Sequence, residues 1–211
     1  MSGKLFQDTK TFWEECHEKG LEVSLSGSKY DEVIDSLKIG AYIIPGAKVL
    51  EIGTGLGFVT KGLYDKGVSV SALDISEVCL ARVKDYCEQL FPVSEINKLP
   101  SNYFDCIICV NVVQHIPTEL LKVELVNCIR ALRKYSGVFA VEFVSNKDAE
   151  DTGIDADLST IKNGLCCRTP KYFSSLVEEA GGNCNIIISN KCDINGIHGC
   201  HVAHIWRNRD V

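Results

Sequence analysis

Val49-Leu50-Glu51-Ile52-Gly53-Thr54-Gly55-Leu56-Gly57 decides the reading of this chain. An apolar strand runs into an acid, glycines follow at alternate positions, and a helical pattern begins at Phe58. Glycine lacks a Cβ and tolerates positive φ, so such a turn can bring backbone amides hard against a ligand. A dinucleotide fingerprint needs Gly-x-Gly-x-x-Gly at the strand-to-helix turn, with the pyrophosphate on the helix N-terminus. Here Phe58 stands where the third glycine of that pattern would fall. The turn is shaped for something other than a pyrophosphate, or is a tight turn in another α/β protein.

Outward from the turn, the periodicity reads as strand, turn and helix in repetition, which implies a parallel sheet with helices on both faces. Phe58–Lys66 is predicted as the first helix of this core, stopped by Gly67. Val68–Leu73 is a strand ending at Asp74, and Ser76 is placed to cap the helix that carries Leu80, Val83 and Cys87. A short strand surrounds Phe91–Val93, another spans Phe104–Val110, and Pro117 suits the first turn of a helix through Lys134. Gly137–Val144 is the next strand, and an acidic stretch follows (Asp148, Glu150, Asp151, Asp155, Asp157). Thr169 caps a last helix with Pro170 in its first turn and Gly181 at its end. Cys184–Lys191 and Gly199–Arg207 read as two strands joined by the hairpin dipeptide Asn195-Gly196. Upstream, residues 1–46 read as a helical cap: Phe6, Phe12 and Trp13, a polar stretch from Ser24 to Ser28, then Tyr30, Val33, Ile34 and Leu37.

A chain of 211 residues suits a single domain, a cap over residues 1–46 and a core over 47–211, burying roughly 70% of its unfolded surface. The net charge of −6, with lysines scattered among acids, argues against a nucleic-acid partner, which needs a clustered basic face. No apolar run approaches the ~18 residues of a membrane span, and the first residues lack a signal-peptide core. Eleven cysteines, several of them inside helical or strand patterns, suit small buried hydrophobes of a reducing compartment and predict a cytoplasmic location. The tail Cys192…His198-Gly199-Cys200-His201…His204 offers zinc-type donors without paired spacing, and Cys166-Cys167 is an equally poor chelate, so no metal is assigned.

The glycine stretch, preceded by Glu51, resembles motif I of the class I, Rossmann-like S-adenosylmethionine-dependent methyltransferases. Two further segments carry the likeness. Glu95-Ile96-Asn97-Lys98-Leu99-Pro100 with Phe104-Asp105 resembles the family's acid-x-x-x-Leu-Pro and Phe-Asp segment, and Asn111 to Pro117 resembles the stretch ending in a histidine before a helix. The likeness is good over about residues 48–145 and implies a mostly parallel seven-stranded sheet, helices on both faces, a C-terminal antiparallel hairpin and the N-terminal helical cap.

It also implies a site. Gly53, Thr54, Gly55 and Gly57 would cradle the methionine end of S-adenosylmethionine, and Glu51 would face its amino group, although an acid there could instead meet backbone amides. Asp74, followed by Ile75, would accept from the ribose diol. Glu95 and the Ile96 amide would form the adenine slot, where this sequence carries Glu and Ile in place of the commoner Asp and a small residue. Asn111 would lie over the methionine end. His115 has two readings, as general base toward the acceptor or as cap of the following helix. Trp13, Tyr30, Gln114 and Arg168 would wall the substrate; Phe12 reads as packing, and Trp13 equally as lid or packing.

The expected activity is transfer of methyl to an O or N atom of a small molecule by in-line displacement, with S-adenosylhomocysteine as product. Acceptor and oligomeric state stay open at this point. Two rivals stand beside it. A nicotinamide-dependent oxidoreductase is disfavoured by Phe58 and by Glu95–Pro100, and a non-catalytic partner of the same fold would have no use for the glycines and Asp74.

Overall fold

Strands form where apolar residues must be buried on both faces. In β1 (Lys48–Ile52) and β4 (Cys106–Cys109) nearly every side chain is buried, as the central strands of a parallel sheet require. A computed structural model describes residues 3–19, 30–145, 166–194 and 197–208. The acidic stretch, Ser24 to Ser28 and Asn195-Gly196 lie outside the described residues.

The other strands are β2 (Ser69–Asp74), β3 (Gln89–Pro92), β5 (Val138–Ser145), β6 (Gly182–Ile194) and β7 (Ile197–Arg207). They build a seven-stranded sheet in the order β3-β2-β1-β4-β5-β7-β6. β1 to β5 pair in parallel, whereas β7 runs antiparallel to both β5 and β6. The chain thus reverses direction from the β1–β2–β3 half to the β4 side at the carboxyl end of β1. That is where open α/β sheets leave a crevice for ligands.

The alternation of side chains sorts the core into two layers. Leu50, Ile52, Ile107 and Cys109 face α5 (Thr118–Ala131) and α6 (Pro170–Glu179) on one side. Val49, Cys106 and Ile108 face α2 (Tyr30–Leu37) and α3 (Phe58–Asp65) on the other. Each such fully buried aliphatic side chain contributes about 1.5–3 kcal/mol. None of the ten described cysteines is in a disulfide, and burial pushes the thiols of Cys106 and Cys109 up, so they act as small hydrophobes.

Local signals set the boundaries well. The Ser76 side chain accepts from the Cys79 amide at the start of α4 (Glu77–Val83), and Thr169 accepts from Tyr172 at the start of α6, with Pro170 first in the helix. Gly67 and Gly181 carry the positive φ values that let the chain leave α3 and α6. Pro117 stands one position earlier than read, as the N-cap of α5, and α5 ends at Ala131. β6 and β7 are both longer than their apolar cores suggested, because they pair almost to the turn between them.

α1 (Gly3–Glu18) lies outside the sheet against α4, joined by Lys10 Nζ–Glu77 Oε1 at 2.8 Å and by Arg82 donating to the His17 carbonyl at 3.3 Å. No described helix is long and apolar enough to cross a membrane.

Candidate active site

The chain leaves β1 through Gly53, Gly55 and Gly57, all at positive φ (73°, 48° and 81°). A Cβ on Gly53 would sit 2.2 Å from Val112 Cγ2, so that position is filled from behind by the segment after β4. Gly55 is the opposite case: nothing described lies within 4 Å of its Cβ direction. The turn therefore presents bare backbone toward open space, as a cradle for a ligand would.

Asp74 holds this turn from the neighbouring strand. Its Oδ2 accepts from Thr54 Oγ1 at 3.2 Å and from the Gly55 amide at 3.4 Å; its Oδ1 accepts from the Ser76 amide at 2.8 Å. The side chain is 4% exposed, and burial raises its carboxyl above the usual range against the pull of those donors and of His17. Ile75 follows, half-buried against the α5-side core.

Glu51 is also buried. Thr60 Oγ1, from α3, donates to its Oε2 at 2.5 Å; this hydroxyl is the partner found there, and sequence reading missed it. Burial pushes the Glu51 carboxyl up to about 8, with the nearby charge of Asp74 adding to the rise. A cation brought beside it would reverse that shift by favouring the ionised form.

On the far side, Asn111 adopts φ 57° and accepts from Gln114 Nε2 at 3.4 Å. Gln114 is 5% exposed, and its Oε1 has no hydrogen-bond partner among the described residues. His115 is half-buried in a single 3-10 turn (Val113–His115), and its ring meets Trp13 edge-on at 4.8 Å. α5 begins at Pro117 with no side-chain cap there.

Trp13 also stacks obliquely on His17, 5.8 Å away, and His17 acts on the charge of Asp74. α1 thus reaches from the end of β2 to the segment after β4. Those two strands flank β1 in the sheet. Trp13 thus lies between His17 and His115. Phe12 is not the packing residue it was read as: it is 52% exposed and touches Trp13 edge-on, because α1 turns Lys10 and His17 to α4.

Tyr30, Glu95 and Ile96 make contacts within the protein itself. Tyr30 packs over Gly62 of α3, near enough to Glu51 to feel its charge. Its hydroxyl has no partner among the described residues, and burial raises its pKa. Glu95 lies in the 3-10 stretch Val93–Lys98, where its carboxylate pairs with Lys98 at 2.7 Å, and the Ile96 side chain is buried in the core.

Arg168 is a correction. At 1% exposure it cannot line a wall; its guanidinium donates to the carbonyls of Val113 (2.9 Å), Ile116 (2.6 Å) and Cys166 (3.2 Å) and to Thr118 Oγ1 (3.1 Å). It positions the His115 turn from behind. Glu124 of α5 was also missed; buried near Arg168 and Cys109, its carboxyl is pushed up to about 8, chiefly by burial. The signal was an acid within the stripe Leu120, Leu121, Leu125 and Cys128, four residues beyond Leu120.

In the tail, His201 bonds to Ser145 (2.9 Å) and Ser189 (2.8 Å), and His204 donates to the Leu37 carbonyl (2.8 Å). A groove of about 300 Å³ beside Tyr42, Tyr135, His204 and Trp206 opens at the amino end of β5, opposite the glycine turn.

The methyltransferase domain profile matches residues 28–184. This chain belongs to the methyltransferase domain family. The resemblance carried by the glycine turn, the Glu95–Pro100 segment and the Asn111–Pro117 segment is thereby borne out. No curated relative matches the sequence significantly.

Solved structures share the fold of this methyltransferase at low identity. The 1,6-didemethyltoxoflavin-N1-methyltransferase of Burkholderia thailandensis, bound to 1,6-didemethyltoxoflavin and S-adenosylhomocysteine, is 16% identical, with a TM-score of 0.70 over 99% of this chain and 92% of that one. The magnesium protoporphyrin IX methyltransferase of Synechocystis PCC 6803, bound to S-adenosylhomocysteine, is 15% identical, with a TM-score of 0.62 over 94% and 99%. The cyclase SpnF is 13% identical, with a TM-score of 0.62 over 84% and 80%. A cyclase on this frame means that the reaction must be argued from the site.

Proposed function

We propose that this methyltransferase binds S-adenosylmethionine across the carboxyl ends of β1 and β2 and transfers its methyl group to an O or N atom of a small molecule. The observation that carries the reading is Asp74. A buried carboxylate at the end of β2 organises the glycine turn through Thr54 and Gly55, beside a position where a ligand meets bare backbone. The site fits the cofactor: Asp74 for the ribose diol, Glu51 for the ammonium of the methionine end, and the Gly53–Gly57 turn for close approach. Glu95, the Ile96 amide and Ile75 would border the adenine, with Glu95 first leaving Lys98.

When bound, the sulfonium supplies an electrophilic methyl group, so the chain's own task is alignment and exclusion of water. Val112 backs the turn and fixes its distance from the segment after β4. Arg168 clamps that segment through its carbonyls, setting Gln114 and His115 toward the acceptor side. Trp13 roofs His115 and restricts water there. His115 would take the acceptor proton as general base. Gln114, with its unmatched Oε1, would orient an N–H or O–H of the acceptor. Both solved relatives with bound S-adenosylhomocysteine have small-molecule names, which supports a small acceptor over a macromolecular one.

Calorimetric titration with S-adenosylhomocysteine tests the cofactor, and a screen of small hydroxyl and amine acceptors with methyl-labelled S-adenosylmethionine tests transfer. Binding without transfer to any acceptor would favour a non-catalytic role for the fold. Failure to bind S-adenosylhomocysteine would end the reading.

A further inference from the structure

His17 and Cys79, which cluster with Asp74, have no part in methyl transfer. These three come from α1, the end of β2 and α4, far apart in sequence, yet all are buried and their donor atoms lie within 4.8 Å of one another. We propose that they form a binding site for a zinc-type divalent cation, and that this ion excludes the cofactor by taking Asp74 from the ribose.

The donor set suits that ion. A ring nitrogen, a carboxylate oxygen and a thiolate sulfur are the ligands borderline divalent ions prefer, and hard ions such as magnesium do not. Zinc–ligand bonds of about 2.0–2.3 Å place tetrahedral donors roughly 3.3–3.7 Å apart. The observed separation is reached from there by side-chain adjustments of about an ångström.

The surroundings hold the ligands in place, as outer-shell partners of a metal site do. Asp74 is oriented by the Ser76 and Gly55 amides and the Thr54 hydroxyl. His17 is kept over α4 by Lys10–Glu77 and by Arg82 on its own carbonyl, with Trp13 against its ring. The three protein donors leave a fourth position for water. An ion there would tie α1 to β2 and α4.

The metal-binding half of this inference stands alone; the competition half rests on Asp74 as the ribose carboxylate. The test is calorimetry of the full chain with zinc chloride, followed by S-adenosylhomocysteine titrations in EDTA and at fixed zinc. Wild type should bind one zinc ion that both His17→Phe and Cys79→Ala weaken at least tenfold. His17→Phe keeps an aromatic ring against Trp13, so it serves if Cys79→Ala fails to fold. At zinc ten times its own Kd, the apparent Kd for S-adenosylhomocysteine should rise about elevenfold, and EDTA should restore it.

Zinc affinity unchanged in the folded variants would place the ion on other cysteines and overturn the site. Zinc and S-adenosylhomocysteine binding together without mutual effect would overturn the exclusion. Loss of S-adenosylhomocysteine binding in EDTA would strike the cofactor reading instead, leaving the zinc titration to be judged separately.

Discussion

Replacing Asp74 with Asn separates the two things this side chain does. Asn keeps the shape and, with its oxygen toward the Ser76 amide, retains the 2.8 Å bond. Its NH₂ then faces the donors Thr54 Oγ1 and Gly55 N, which lose their acceptor at 3.2 and 3.4 Å. Both are long, so each is worth about 1 kcal/mol despite the charged acceptor. Against this, the wild-type carboxylate is raised by burial, so removing the charge recovers part of the desolvation cost. Folding stability should therefore change by no more than about 1 kcal/mol, a Tm shift of roughly 2–4 °C for a chain of this length. Cofactor affinity should change far more. Two charge-assisted bonds to the ribose contribute about 1.5–3 kcal/mol each, and Asn can replace at most one, at neutral strength. A net loss of about 2–4 kcal/mol weakens S-adenosylhomocysteine binding at least thirtyfold. Calorimetry in EDTA and thermal unfolding read the two effects separately. A Kd within threefold of wild type would remove Asp74 from the ribose and, with it, most of the site.

Gly55→Val should abolish cofactor binding and lower stability, since φ is 48° there and the added branches fill the open side of the turn; normal binding would put the ligand elsewhere. If His115 is the base, His115→Asn should cut turnover roughly 10²–10⁴-fold at nearly unchanged cofactor affinity and remove the acid limb of the pH–rate profile. A near-normal rate across pH would leave alignment and desolvation as the mechanism. Glu51 and Glu124, both raised from 4.5 to about 8, keep protons in the folded chain that the unfolded chain releases. Their contribution to stability is complete below about pH 4.5 and is lost as pH rises through 8, so denaturation midpoints should fall from pH 6 to 9. Glu51→Gln should flatten part of that fall, and stability rising over the same range would refute the protonation states assigned here.

The sheet was legible in the sequence because its determinants are local. Element ends are marked by residues close to them in sequence: Gly53 after β1, Asp74 and Ser76 at the end of β2, Thr169-Pro170 at the start of α6. The candidate site residues on those ends were legible for the same reason. What was hidden depends on contacts across the chain. Nothing near Trp13 says that its ring will meet His115, and nothing near Cys79 says that His17 will arrive. Arg168 was misplaced because an arginine beside a helix cap is normally solvated; only the folded chain shows carbonyls from three residues converging on it. Phe12 and Trp13 are adjacent aromatics, and sequence gave no means to tell which would face inward.

That arginine clamp bears on how such a site diversifies. Arg168 grips main-chain carbonyls, and the chain on either side of it is anchored the same way: its own amide donates to the Val144 carbonyl, and the Cys166 amide to that of Gln114. Carbonyl oxygens are offered by every residue type, so side chains at 113, 116, 144 and 166 can be replaced without removing a single acceptor. The geometry of the segment after β4 is thus inherited through the backbone, while its side-chain identities are left to drift. If that segment meets the acceptor as proposed, a lineage built on this frame can acquire a new substrate by point substitution and keep the old donor.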